Sequence, residues 1–247
     1  MKLHVIKNRN YWFLLSGFLV LASLILLIYP GLKFGIDFTG GSLMEIEFSQ
    51  PVSVGAVRQT IDDSGYKDAS IQTTGELGYL IRTQSLSEEE HQSILNDVRT
   101  ANGELKELRF DSIGPVIGDE LQRTAIIGVV LTIILIGLYV AWAFRKVSGP
   151  VASWKYGVIT ILASFHDVII MVGAFALFGQ WFGWEVGAAF VAAALTVLGY
   201  SINDTIVVFD RTRENLLRHS PHTLSETVEQ SIEQTLTRSF NTGLSSL

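Results

Sequence analysis

The sequence predicts a multi-pass α-helical membrane protein that carries one small α+β domain. Three observations lead to this prediction: four long apolar segments, an acidic polar stretch between the first and the second, and basic residues that flank the apolar segments. A helix needs about 20 apolar residues to cross the hydrocarbon core of a bilayer, and each segment reaches about that length. The positive mean hydropathy of +0.35 fits the same class of protein.

The four predicted spans cover residues 11–29, 124–144, 156–178 and 186–209. The first follows a short N-terminal flank, so that residues 1–30 form one segment. Its apolar run is long for a cleaved signal peptide, and the Tyr-Pro-Gly at its end is not a small-residue cleavage site. We therefore predict that this helix is retained and that residues 124–209 hold spans two to four.

Basic residues predict the orientation of the spans. They precede the first span, lie between the second and third, and follow the fourth: Lys7, Arg9, Arg145, Lys155, Arg211 and Arg213. The tight link between spans three and four has no Lys or Arg. The positive-inside rule then predicts a cytoplasmic N-terminus and an extracytoplasmic location for residues 31–123.

Residues 31–123 are predicted to form a ferredoxin-like domain. Alternation of apolar and polar residues and turn signals predict strands at 43–48, 69–73, 78–83 and 105–113, with helices at 54–63 and 87–100. Ser87 and Glu90 form a capping-box pattern at the start of the second helix. The order β-α-β-β-α-β is that of the split βαβ layout. Because the domain is acidic, nucleic acid is not an expected partner.

The C-terminal part of the sequence is polar and then resumes a span-like pattern. Residues 210–237 are predicted to be a cytoplasmic segment, and residues 238–247 the beginning of a fifth span. The chain is therefore expected to be truncated after the first turns of that span.

Asp204 is the strongest candidate for a functional residue. It lies within the fourth predicted span, where an ionisable side chain costs about 2.5–3.5 kcal/mol on insertion scales. Thr196, Tyr200 and Asp204 follow one another at intervals of four residues and share a helix face, with Asn203 beside them. Lipid cannot satisfy such a stripe, so we expect it to face protein or water. Asp204 is predicted to carry protons; the alternative is an aspartate locked by hydrogen bonds to neighbouring helices.

The third predicted span contains a second set of polar residues. Ser164 and Asp167 lie on one face, and His166 precedes the aspartate. A His-Asp pair can relay protons, because His titrates near neutral pH. Adjacent helical residues point about 100° apart, however, so the two side chains need not touch. Hydrogen bonding between helices is the alternative role.

Several kinds of chemistry have no support in the sequence. There is no cysteine, so disulfides and thiolate metal sites are excluded. The sequence has no phosphate-cradling glycine loop, no HExxH and no nucleophile elbow. We therefore predict no enzyme, no catalytic residue, no metal and no cofactor.

Five motifs together resemble the SecF family of bacterial protein-export membrane subunits, which belongs to the resistance-nodulation-division (RND) type of transporter fold. They are residues 34–41 (FGIDFTGG), 113–121 (IGPVIGDEL), His166 with Asp167, 199–214 (GYSINDTIVVFDRTRE) and 238–242 (RSFNT). The resemblance covers the whole chain. The family has six spans, of which this sequence contains four and the beginning of a fifth.

The resemblance implies partners, location and energy source. It implies a subunit of the bacterial cytoplasmic (inner) membrane that pairs with SecD beside the SecYEG translocon, together with YajC. The complex would use the proton gradient, and no cofactor, to assist export of unfolded secretory polypeptides.

The resemblance also implies roles for particular residues. Arg238 is expected to act as the cation partner of Asp204, although a basic anchor at a helix mouth is the alternative. The turn after the first span is expected to be a hinge formed by Gly35, Asp37, Gly40 and Gly41.

Two other functions stay open at this point. One is a proton-coupled exporter of small hydrophobic molecules, which shares the fold type but usually has much larger outer domains. The other is a structural scaffold for SecD, with the proton path elsewhere. The residues do not decide between protons and sodium as the coupling ion.

Overall fold

The computed structural model describes residues 4–146, 151–217 and 223–245. The chain forms two compact units: a helical unit, which comprises the chain up to Lys33 and from Ile126 onward, and an α+β unit, Phe34–Ala125. Parts of four predicted segments lie outside the described residues: 1–3 of the N-terminal flank, 147–150 of the segment 124–209, 218–222 of the cytoplasmic segment and 246–247 of the fifth span.

In chain order the elements are α1 (Arg9–Ile28), α2 (Ile36–Thr39), β1 (Gly41–Phe48), α3 (Val54–Asp63), β2 (Ser70–Thr74), β3 (Gly78–Thr83), α4 (Glu88–Asn102), β4 (Leu105–Ile113), α5 (Pro115–Ala143), a 3₁₀ turn (Phe144–Lys146), α6 (Ser153–Phe182), α7 (Ala188–Leu217) and α8 (Leu224–Ser245).

The α+β unit contains a four-stranded antiparallel sheet with the strand order β2-β3-β1-β4. On the central strand β1, Met44 lies opposite Ile81 of β3 and Phe110 of β4. The register of β1 and β4 shifts between Glu45 and Ile46. The six predicted elements are present in the predicted order, and the four-residue helix α2 precedes them.

One face of this sheet packs against helices α3 and α4. The buried apolar side chains of β1 are Met44, Ile46 and Phe48, which alternate along the strand as the sequence pattern predicts. They meet apolar residues at helical spacing on α3 and α4: Val57, Ile61, Ile94, Leu95 and Val98. Burial of these side chains provides the main stabilisation of the unit.

The predicted capping box at the start of α4 is confirmed. The Ser87 hydroxyl accepts a hydrogen bond from the Glu90 amide, and the Glu90 carboxylate accepts one from the Ser87 amide at 2.8 Å. The backbone hydrogen bond from Ser87 lowers the pKa of Glu90. The reciprocal bonds satisfy two backbone groups that a helix start otherwise leaves unpaired.

Four helices of the helical unit are long and apolar enough to cross a membrane: α1, α5, α6 and α7. They correspond to the four predicted spans. Three of them extend well beyond the predicted limits, because a helix continues through polar residues as long as its backbone hydrogen bonds are kept. The longest extension is at the start of α5, which begins at Pro115. Helix α7 also runs on to Leu217, with an Arg211–Glu214 pair one turn apart.

The last described helix, α8, begins at Leu224 and contains Arg238. It therefore begins within the predicted segment 210–237 and continues past residue 238 without interruption. Its start has the Thr223–Glu226 capping pattern, in which the Glu226 carboxylate accepts a hydrogen bond from the Thr223 amide at 2.8 Å. Asn215 of α7 donates to the Ser231 hydroxyl of α8 at 2.9 Å, which ties the two helices together.

Small residues bring helices α1 and α6 close together. A Cβ atom added to Gly173 of α6 would lie 2.6 Å from the Cα of Ser23, the one buried residue of α1 among those described. Gly137 of α5 and Gly157 of α6 make a similar close approach. Lipid tails are as apolar as the helix surfaces, so the hydrophobic effect contributes little to helix association in a bilayer. Close backbone packing of this kind is therefore a main source of the stability of the helix pair.

Candidate functional site: a polar network between three apolar helices

His166 and Asp167 contact each other on α6. The Nδ1 atom of His166 is 2.8 Å from Oδ1 of Asp167. The other carboxylate oxygen of Asp167 accepts a hydrogen bond from the Ser201 hydroxyl of α7. The sequence left open whether the His and Asp side chains touch, and the structure answers that they do.

The imidazole also reaches a third helix. Its Nε2 atom lies 2.6 Å from the hydroxyl oxygen of Ser16 on α1. If Asp167 is ionised and His166 is neutral, Nδ1–H donates to Asp167, and Nε2 accepts from Ser16. A continuous path of hydrogen bonds then runs from α1 through α6 to α7. Such a path can hold a proton at His166 or Asp167 and pass it along.

The spacing of the contacts shows how α1 and α6 run. Ser16 contacts His166 and Ser23 contacts Gly173, and both pairs of positions are seven residues apart on their helices. Residues seven apart lie on the same helix face two turns along, and the order is the same on both helices. Helices α1 and α6 are therefore parallel.

Asp204 lies on α7 one turn after Ser201, on the same side of the helix. The residue is half-buried, and its Oδ1 atom is buried without a hydrogen-bond partner among the described residues. A buried carboxylate oxygen without a partner is costly when ionised, because nothing replaces the water it has lost. This oxygen is therefore free to accept a proton, a water molecule or a cation.

The predicted polar stripe of α7 is divided between two environments. Thr196, Tyr200 and Asn203 are exposed on the described part of the chain, whereas Asp204 is half-buried. The Thr196 hydroxyl donates to the Ala192 carbonyl of its own helix. On α6, Ser164 is buried, and its hydroxyl has no partner among the described residues.

Arg238 lies on α8 at a cavity of about 600 Å³ that is also lined by Asn203 of α7. The cavity has a mixed charge, since Asp210, Arg211 and Glu214 contribute to it. Arg238 and the residue that precedes Asp204 thus line the same cavity. No ion pair joins Arg238 to Asp204 in the described ranges of the chain.

The predicted hinge motif forms a tight turn in the α+β unit. Gly35 is the N-cap residue of α2, Asp37 lies in its first turn, and Gly40 ends it. Gly40 has φ 70° and ψ 172°, a conformation essentially restricted to glycine. A Cβ atom at Gly40 would lie 2.7 Å from the Cα of Pro115, and one at Gly41 would lie 2.7 Å from the Thr83 carbonyl oxygen. Both glycines therefore permit close backbone packing.

Two residues of the network were missed in the sequence: Ser16 and Ser201. Ser16 is a single hydroxyl within a long apolar helix, and Ser201 stands one turn before Asp204. Those positions could have indicated that the two serines belong to a polar network, but a sequence does not show which helix faces meet. Within the described residues no group of three or more His, Cys, Asp or Glu side chains is arranged to hold a metal ion.

Two family profiles match the chain. The profile described as "Protein export membrane protein SecD/SecF, C-terminal" matches residues 93–247, and the one described as "SecD/SecF GG Motif" matches residues 25–52. The first covers more than half of the chain and includes Asp167, Asp204 and Arg238. The second includes Gly40 and Gly41.

Curated relatives are similar along nearly the whole chain. The protein translocase subunit SecF of Thermobaculum terrenum is 38% identical over 97% of this chain and 78% of the relative. The protein of the same name from Anaerolinea thermophila is 36% identical over 98% of this chain and 79% of its own.

A solved structure has the same fold. The crystal structure of SecDF, a translocon-associated membrane protein from Thermus thermophilus, superposes with a TM-score of 0.84 at 32% identity. The superposition covers all of this chain and 32% of that one, so this chain spans about a third of the SecDF chain. Taken with the profiles and the relatives, this similarity shows that the chain is a membrane protein that belongs to the SecF family of protein translocase subunits.

Proposed function

We propose that this chain uses a transmembrane proton gradient, together with a SecD partner, to assist export of unfolded secretory polypeptides through the SecYEG translocon. The observation that carries the proposal is a pair of intramembrane aspartates near Ser201. Asp167 accepts a hydrogen bond from the Ser201 hydroxyl, and Asp204 lies one turn after Ser201 on α7. Intramembrane carboxylates are costly and usually mark an ion or proton pathway. The names of the SecF and SecDF relatives support transport rather than catalysis.

Asp204 is the residue that binds and releases the transported proton in this proposal. Its Oδ1 has no partner among the described residues, and the neutral acid is less costly to bury than the anion. When Arg238 or water reaches the carboxylate, the ionised form is stabilised instead. Arg238 lines the same cavity as Asn203, the residue before Asp204, so in this proposal a movement of α8 against α7 brings the two charges together.

The energy available from one proton is sufficient for a conformational change. Moving one charge through the membrane potential yields about 2.3 kcal/mol per 100 mV. That free energy shifts a two-state equilibrium by a factor of about 50 at room temperature. Protonation of Asp204 would thus favour one arrangement of α7 and its neighbours over another.

The α+β unit is the outer, polypeptide-handling part of the proposal. Its strand order β2-β3-β1-β4 and its β-α-β-β-α-β sequence support a ferredoxin-like domain. The basic residues that flank the apolar helices support an N-terminus in the cytoplasm and this unit on the outer side of the bacterial inner membrane. The parallel direction of α1 and α6 is consistent with that topology.

The test is proton-driven release of a secretory protein from membrane vesicles that contain the chain and SecD. Asp204→Asn keeps the shape of the side chain but cannot bind the transported proton, so release should be lost. Asp63→Asn is the matched control, because Asp63 is an exposed aspartate at the end of α3 and does not line the cavity at Arg238. Equal release by all three proteins would make this chain a scaffold for SecD. Release that needs a sodium gradient and no proton gradient would mean that sodium is the coupling ion.

A further inference from the structure

We infer that Ser16 of α1 is a positioning residue of the proton pathway, which holds the His166 imidazole against Asp167 and makes α1 respond to the protonation of that pair. The inference rests on the proposed function and adds a residue and a helix to it. Its starting point is the 2.6 Å contact between the Ser16 hydroxyl and His166 Nε2.

Helix α1 is held on the rest of the helical unit mainly by its packing against α6. Its apolar side chains are largely exposed; Leu15 is 52% exposed and Phe18 66%. The close contacts described above are at Ser16 and Ser23, on one face of α1. The Ser23–Gly173 contact is steric, whereas the Ser16–His166 contact is a hydrogen bond. Only the second can change when a proton moves.

A hydroxyl at this position can serve both protonation states of the imidazole. When His166 is neutral and donates through Nδ1 to Asp167, Nε2 accepts from the Ser16 O–H. When His166 is protonated, Nε2 becomes a donor, and the Ser16 oxygen must accept. The hydroxyl therefore reverses its direction as the proton arrives, and α1 adjusts to the reversed bond.

The surroundings of His166 contain few other titratable groups. Asp167 lies beside it on α6, and on α7 Tyr200 precedes Ser201 and Asp204 lies one turn beyond it. On α1, the titratable residues are Arg9 and Tyr11, both near its N-terminal end; on α5, none occurs between Thr124 and Leu138. The response of α1 is thus tied to the two aspartates that the proposed function already uses.

Helix α1 is also the helix that precedes the α+β unit in the chain. Only a short linker separates Ile28 from Phe34, where that unit begins. A response of α1 to the His166–Asp167 pair would therefore reach the segment that enters the α+β unit. This route does not require Asp204 to act on that unit directly.

The experiment compares Ser16→Thr with Ser16→Val in the full chain with SecD. The two side chains have nearly the same shape, and only Thr keeps the hydroxyl. We expect release by the Val variant to be about threefold to tenfold lower than by the Thr variant, which is the population change expected when one interhelical hydrogen bond in a membrane is lost. Release by the Thr variant should stay near that of the parent protein.

A spectroscopic readout separates positioning from a loss of packing. The ring nitrogens of His166 can be observed by ¹⁵N NMR of histidine-labelled protein, with His166→Asn to assign the signals. We expect the Nε2 signal to move in the Val variant and to stay unchanged in the Thr variant. Equal release and equal His166 spectra for Thr and Val would overturn the inference.

The Asp204→Asn variant distinguishes failure of the role of Ser16 from failure of the proposed function. If Asp204→Asn abolishes release while Ser16→Val releases normally, the proposed function stands and the role of Ser16 is wrong. If Asp204→Asn also releases normally, the proposed function itself is wrong.

Discussion

Replacing Gly40 with alanine tests the close packing of the glycine turn against the start of α5. The added Cβ would lie 2.7 Å from the Cα of Pro115 and 2.9 Å from its nitrogen. These are backbone atoms, which cannot rotate away as a flexible side chain could. The residue would also have to keep φ 70° and ψ 172°, which side chains other than glycine rarely adopt.

The expected loss in the free energy of unfolding of Gly40→Ala is the sum of two separate costs. The backbone conformation costs of the order of 1–3 kcal/mol for a non-glycine residue. Overpacking against fixed neighbours adds about 1–3 kcal/mol. Gly103 provides a matched control in the same unit, since it has φ 104° and ψ −177°, and no atom lies within 4 Å of its added Cβ. Gly103→Ala should therefore show the first cost without the second.

The assay is chemical or thermal unfolding of the α+β unit in the full chain, and hydrogen exchange of its strand amides serves as the readout. Gly40→Ala should lower the free energy of unfolding by about 1–3 kcal/mol more than Gly103→Ala does. Equal losses for the two variants would refute the reasoning, because they would mean that the approach of Pro115 places no constraint on residue 40.

Three further predictions concern local stability. Ser87→Ala should destabilise the α+β unit by about 1 kcal/mol through loss of the N-cap, whereas Ser93→Ala on the exposed side of the same helix should not; equal denaturant midpoints would contradict this. Because the pKa of Glu90 is lowered from 4.5, its stabilising effect should be present above that value and be lost as the pH falls below it; an unchanged acid profile in Glu90→Gln would count against it. Gly173→Ala should lower the thermal stability of the helical unit by about 1–3 kcal/mol, whereas Gly17→Ala, with no atom near its added Cβ, should not.

The sequence predicted the order of the elements well, for identifiable physical reasons. The apolar alternation of β1 and the capping box at Ser87 are local patterns that act within a few residues. The four apolar spans are set by composition over a whole helix. Helix ends were less predictable, since α7 passes the apolar boundary at Phe209 and continues to Leu217. Ion pairing such as that between Arg211 and Glu214 sustains a helix where hydrophobicity no longer does.

The candidate site was predictable only in part. Asp167, His166 and Asp204 were found because ionisable residues are costly in an apolar span. Ser16 and Ser201 were missed, because a serine in a helix is inexpensive and common. Their importance comes from contacts between helices that are far apart in the chain, and periodicity within one helix carries no information about those contacts. Helical spacing likewise grouped Thr196 and Tyr200 with Asp204, although the structure leaves the first two exposed.

The most direct test of the central claim is proton uptake by liposomes that contain the chain and its SecD partner. A potassium diffusion potential would drive protons inward, and a pH-sensitive dye inside the vesicles would report their entry. We predict that the parent protein and Asp63→Asn conduct protons, and that Asp204→Asn conducts none above the protein-free background. Proton entry through Asp204→Asn at the rate of the parent protein would contradict the account, because Asp204 would then not be part of the pathway.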